Sequence, residues 1–172
     1  MYASHTMAMT STRRSFLSSA SLTALALPLL ETQAQAVPHP EPFQVFSDQK
    51  LEASKKNLNA APGNDNLFKG AAGLTMVMTV EEKKAAKEFE WHEGRDHILQ
   101  VLEGSTVYEL GGTPKEGRNV KPGEWLAPSA DGASRVELKK GDVLVIPRGT
   151  LHKRTTADKV TFYLISSEGT AH

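Results

Sequence analysis

Gly141-Asp142-Val143-Leu144-Val145-Ile146-Pro147-Arg148-Gly149-Thr150-Leu151-His152 brings a turn, an apolar run, a bend and a histidine together in one continuous run. Gly141 makes the turn into a short strand, and Val143 to Ile146 fill a core. Pro147 and Gly149 then bend the chain so that His152 faces inward. Upstream, from Gly73, the pattern is period two: Leu74, Met76, Met78 and Val80 alternate with Thr75, Val77 and Thr79, as a half-buried strand requires. Further short strands are expected at 87–92, 97–102, 106–110, 134–138, 142–146, 152–156 and 160–165, with glycine or proline between most of them. Such close spacing predicts an all-β sandwich or barrel.

Three segments stand outside this pattern. Residues 37–46 are proline-rich and read as an extended arm. Residues 47–61 carry Leu51 and Leu58 among charged residues and alanine, which predicts a short helix with Ser47 or Asp48 as N-cap and Pro62-Gly63 as its stop. Residues 111–133 have prolines, glycines and no sustained periodicity, and read as one long loop in which Trp125 either packs over the barrel mouth or anchors the loop. The run Glu81-Glu82-Lys83-Lys84 has mixed sign and reads as a solvated turn.

Strand parity sorts the residues that could do chemistry. Glu90 and His92 share one face of their strand, and His97, Leu99 and Val101 share one face of the next. Asp96 competes with His97 by adjacency, and parity favours His97. Phe89 and Trp91 lie on the face opposite Glu90 and His92, away from any site those residues form, covering an outer core layer or a dimer contact.

The stretch 141–152 matches the second cupin motif, Gly-x5-Pro-x-Gly-x2-His, at every defining position. Anchored on Gly104, Glu90-x-His92, four residues, His97, six residues, Gly104 keeps the spacing of the first cupin motif with its ligands permuted: Glu stands in the first His place and His in the Glu place. The family's opening glycine falls at Lys84, and the asparagine that closes its second motif is Thr156. The chain thus resembles the cupin superfamily over residues 74–165. The resemblance implies a double-stranded β-helix, or jelly-roll barrel, at 71–168, preceded by an arm and short helix at 37–70. It also implies one divalent transition metal ion on His92, His97 and His152, with Glu90 as an optional fourth ligand or a catalytic base. Imidazoles with one carboxylate suit Fe(II), Mn(II), Zn(II), Ni(II) or Cu(II) alike. A homodimer that exchanges N-terminal strands through the arm is a further implication of the resemblance.

Composition narrows the function. The 172 residues carry 20 basic and 20 acidic side chains, a net charge of zero that gives no electrostatic reason for a nucleic-acid partner. There are no cysteines, so a thiolate nucleophile, a cysteine zinc site and a disulfide framework are excluded. At the N-terminus, Thr12-Arg13-Arg14-Ser15-Phe16-Leu17, the apolar run 20–30 and Ala34-Gln35-Ala36 resemble a twin-arginine (Tat) signal with its cleavage site, which implies removal of 1–36 and a periplasmic or secreted mature chain. The apolar run is interrupted by Ser21, Thr23 and Pro28 and falls well short of the ~20 residues that span a bilayer, so no membrane segment is expected in the mature form. The functional expectation is a metalloenzyme for a small-molecule substrate, of dioxygenase or of lyase or isomerase type, with a non-catalytic module that binds a sugar or organic acid as the alternative.

Overall fold

The computed structural model describes residues 43–169. The expected signal segment 1–36 and most of the arm lie outside the described residues. Within them no helix is long and apolar enough to cross a membrane.

The chain folds as α1 (Asp48–Ala60), β1 (Gly63–Lys69), β2 (Leu74–Ala85), β3 (Phe89–His92), β4 (Arg95–Leu110), β5 (Thr113–Lys115), β6 (Arg118–Lys121), β7 (Glu124–Ala127), β8 (Ser129–Asp131), β9 (Ser134–Lys139), β10 (Val143–Ile146) and β11 (His152–Glu168). Ser47 is the N-cap of α1, its side chain accepting from Lys50 N. The helix lies over one face of the sheet because Leu58, with Leu51 behind it, packs on Met78 and Val80 of β2. Pro62-Gly63 ends the helix as expected, but the chain turns at once into β1, which pairs antiparallel with β2.

Two long strands organise everything else. β11 pairs with β2 on one side and with β4 on the other, and at His152 it meets Glu90 of β3. β4 also carries β9 and β10. Strands expected separately at 97–102 and 106–110 are one bent strand, and so are those at 152–156 and 160–165. The bends are Gly104, at φ 75°, and a bulge between Thr156 and Lys159 in the pairing with β2. A bulge adds local twist without ending the ladder, which is why both bends look like chain breaks in the sequence.

The interior is filled by Leu99, Val101, Tyr108, Leu138, Ile146, Val160 and Phe162. Leu99 and Val101 share this face with His97, as parity predicted. Gly104 is essential to the bend, because an added Cβ would lie 2.0 Å from the Lys159 carbonyl oxygen. Gly104→Ala therefore combines a left-handed backbone penalty with a backbone clash and is expected to destabilise by about 2–3 kcal/mol. Chemical denaturation checks this; a change below about 0.5 kcal/mol, typical of a surface substitution, would contradict it.

Two expectations need correction. Residues 111–133 are not one irregular loop: they hold β5 to β8, with β7 paired to β3 and to β6 and β5 paired to β8. These strands are only three or four residues long and mostly half-exposed, so they carry no periodic hydrophobic signal. The run 81–84 is not a turn either, although Glu82, Lys83 and Lys84 are solvated as expected. It continues β2, and Glu81 is buried at 5% exposure. Its charge is masked in sequence because its partner, Arg154, comes from the far end of the chain.

Candidate metal centre

His92 ends β3, His97 lies near the start of β4, and His152 opens β11 after the Pro147–Gly149 bend. All three are buried, and one nitrogen from each lies within 4.8 Å of those of the other two. Their ring centroids are 5.0, 5.3 and 5.6 Å apart, with edge-to-face planes rather than stacked ones. Edge-to-face rings aim nitrogens at a shared point, whereas stacked rings aim them past one another.

The outer nitrogens show which atoms are left to do this. His92 Nδ1 donates to Glu124 Oε2 at 2.5 Å, and His152 Nδ1 donates to the Thr150 carbonyl at 2.9 Å. His97 Nδ1 pairs with Ser166 Oγ at 2.8 Å. With each Nδ1 occupied, the three Nε2 lone pairs face inward, the arrangement in which a ligating imidazole is oriented by its other nitrogen. Glu124 is in turn clamped by Arg95, whose guanidinium bonds its other carboxylate oxygen. The donor set therefore fits one transition-metal ion: three neutral imidazoles, each held by a different kind of partner.

Burial disfavours the charged form of two of these rings, His97 and His92. His97 is pulled down to about 4, first by burial and then by the neighbouring His92 and His152 and by Arg95. His92 is lowered too, by burial and then by Arg95, with Glu124 opposing. In the metal-free protein His97 thus refuses a proton that the unfolded chain accepts below about 6.5. Folding stability is fully present above that pH and is lost as pH falls from about 6.5 toward 4. A thermal midpoint followed in chelator should drop across that window, and a flat profile would contradict the burial of the rings.

Glu90 is placed beside His152 rather than inside the three-nitrogen group. Its Oε1 is 3.4 Å from His152 Nε2, and its side chain is about half exposed. The neighbouring His152 chiefly holds its carboxyl down to about 2, against the opposing effect of burial. Asp96 turns away to bind the Arg148 backbone N–H and guanidinium, which removes it as a competitor to His97. Phe89 packs with Ala127 and Leu151, and Trp91 stacks on Trp125 at 5.5 Å, so both are covered within the chain.

A cavity of about 170 Å3 opens beside the histidines, lined by Glu81, Lys84, Glu90, Tyr108, Arg154 and a few apolar side chains as well as by His97 and His152. Arg154 bridges its wall: it bonds both oxygens of Glu81 and donates to Tyr108 Oη at 2.8 Å, with its guanidinium 4.6 Å from the centre of the Phe162 ring. Glu81, Glu124, Ser166 and Arg154 are all site residues that sequence reasoning missed. The one available signal was the Trp91–Trp125 pair, whose register places Glu124 opposite His92.

The fold is shared with known proteins. A Bacillus halodurans protein of solved structure (BH2720) is similar to this chain with a TM-score of 0.53 and 19% identity, covering 77% of this chain and 86% of that one. A cupin-2 domain protein from Shewanella frigidimarina has a TM-score of 0.47 and 14% identity, covering 69% and 92%. At 19% identity the likeness to the Bacillus halodurans protein is one of fold alone. Comparison with curated proteins returns no match. The family model described as Cupin matches residues 46–171, which takes in the whole barrel and all three histidines, and the chain therefore belongs to the cupin family.

Proposed function

We propose that this cupin binds one divalent transition metal ion on His92, His97 and His152 and acts on a small-molecule substrate in the adjoining cavity. The observation that carries this reading is the division of labour within each imidazole: Nδ1 is spent on Glu124, Ser166 or Thr150, and Nε2 is left pointing at the other two rings. Three protein nitrogens with room for further ligands is the composition of a catalytic rather than a closed structural site. When bound, the ion supplies Lewis acidity toward a carbonyl or hydroxyl, or a place for O2 if it is Fe(II).

The chain's own residues supply the rest. Glu90, half exposed at the cavity beside His152, is the carboxylate placed to accept a hydrogen bond or a proton from a substrate hydroxyl. Ile146, Leu164 and Ala86 line the same space and reduce its water content. At about 170 Å3 the cavity is smaller than the ~300 Å3 where drug-sized pockets begin, so the substrate is a molecule of few carbons. The signal-like segment 1–36 supports export by the Tat route, which carries folded proteins and so suits a metal loaded before export.

Metal analysis of the protein purified from its natural compartment tests the first half of this reading, with about one ion per chain expected. Oxygen uptake by the Fe(II) form with small diols, thiols and keto acids tests the second. Uptake with any of these identifies an oxygenase. A loaded protein that consumes no oxygen, and neither eliminates nor isomerises the same compounds, would be the non-catalytic binding module instead.

A further inference from the structure

Besides the histidines, two acidic and two basic side chains line the cavity: Glu81, Glu90, Lys84 and Arg154. They are not paired one to one. Lys84 Nζ, 3.0 Å from Glu81, and the Arg154 guanidinium share the single Glu81 carboxylate, so that wall keeps a surplus positive charge. Glu90 stands apart, against His152. Over the whole lining the two cations and two carboxylates cancel, and behind His92 the Glu124–Arg95 pair cancels as well. A divalent ion on three neutral imidazoles therefore leaves two uncompensated positive charges in one small space, in two places: one at the histidines and one at the cation pair.

The spacing follows from the strand. Arg154 is two residues beyond His152 on β11 and lines the same cavity, a separation of roughly 6–7 Å along an extended chain. Arg154 spends three of its five N–H groups on Glu81 and Tyr108, and Lys84 is 65% exposed at the mouth with donors to spare.

We infer that the cavity is built for a short dicarboxylate, a four- or five-carbon acid with a hydroxyl or keto group, whose one carboxylate reaches the metal while the other neutralises the Lys84–Arg154 pair. This rests on the metal-site reading above and extends it to a substrate class. Charge-assisted contacts to the second carboxylate make the difference between a diacid and its monoacid counterpart.

The test uses the full mature chain loaded with Co(II), whose visible absorption reports ligands entering the metal site. Titration with Co(II) alone comes first, since failure to bind it would sink the metal-site reading and this inference with it. The loaded protein is then titrated with 2-hydroxybutanedioate and with 2-hydroxybutanoate, which share chain length and chelating group and differ in the second carboxylate; metal retention is checked by dialysis. The diacid is expected to bind at least about tenfold tighter, and Lys84→Met, a change at an exposed side chain, to reduce that ratio to below about threefold. Equal binding of the two acids by a protein that holds Co(II) would overturn the inference and leave the metal site standing. An undiminished preference in Lys84→Met would overturn it too, by showing that the second carboxylate is held elsewhere.

Discussion

His152→Ala is expected to abolish stoichiometric metal binding, lowering affinity by at least about a hundredfold, while the barrel still folds. The expectation follows from geometry. His152 is the one ring of the three that contacts Glu90 and also lines the cavity beside Arg154, and its Nδ1 is held by a backbone carbonyl two residues away, so its Nε2 direction is fixed locally. Its removal leaves two nitrogens, too few to hold a divalent ion against water. Folding should survive because the ring is not part of the apolar clusters around Leu99 and Phe162 or around Phe89. Metal content after dialysis, read beside circular dichroism, separates the two effects. A folded variant that keeps its metal would remove His152 from the site.

Arg154→Met should cost about 3–5 kcal/mol of stability, the penalty for stranding a buried charge. Glu81 is 5% exposed and draws most of its compensation from the Arg154 guanidinium; Lys84, its other partner, is largely in water. Arg154 holds the Glu81 carboxyl below its ordinary range against burial, the largest influence and one that pushes it upward. The double variant Glu81→Met with Arg154→Met removes both charges and should recover most of the loss, since replacing a buried pair by apolar groups is often close to neutral. Denaturant unfolding of the two variants decides it. A single variant as stable as the parent would mean that Glu81 reaches solvent.

The part of this molecule that is legible in sequence is the part encoded locally. Residues 141–152 carry their turn, strand, bend and histidine in one run, and the structure places these as that run implies, with one correction: only Ile146 and, in part, Leu144 enter the core, while Val143 and Val145 lie on the opposite, solvent face of β10. His97 was separable from Asp96 by parity, because the side-chain period of a strand is two whatever its partners. What could not be read depends on pairing across the barrel. Glu124 lies in a four-residue strand with no pattern of its own, and matters only because Trp125 registers with Trp91 and puts it against His92. Glu81 looked like one more surface charge until β11 brought Arg154 beside it, and Ser166 was an unremarkable serine until the same strand ran past His97. β1 went unread because Asn64, Asp65 and Asn66 favour turns by composition; here tertiary pairing to β2 overrides that preference. Gly104 and the bulge after Thr156 resemble strand ends in sequence for a related reason: a residue that permits a turn also permits a bend.

X-ray absorption at the zinc edge of the Zn(II)-loaded protein reads the three-histidine centre itself. Three imidazole nitrogens at about 2.0–2.1 Å are predicted, with the remaining positions filled by oxygen. A first shell made only of oxygen, or one with a single imidazole, would contradict it.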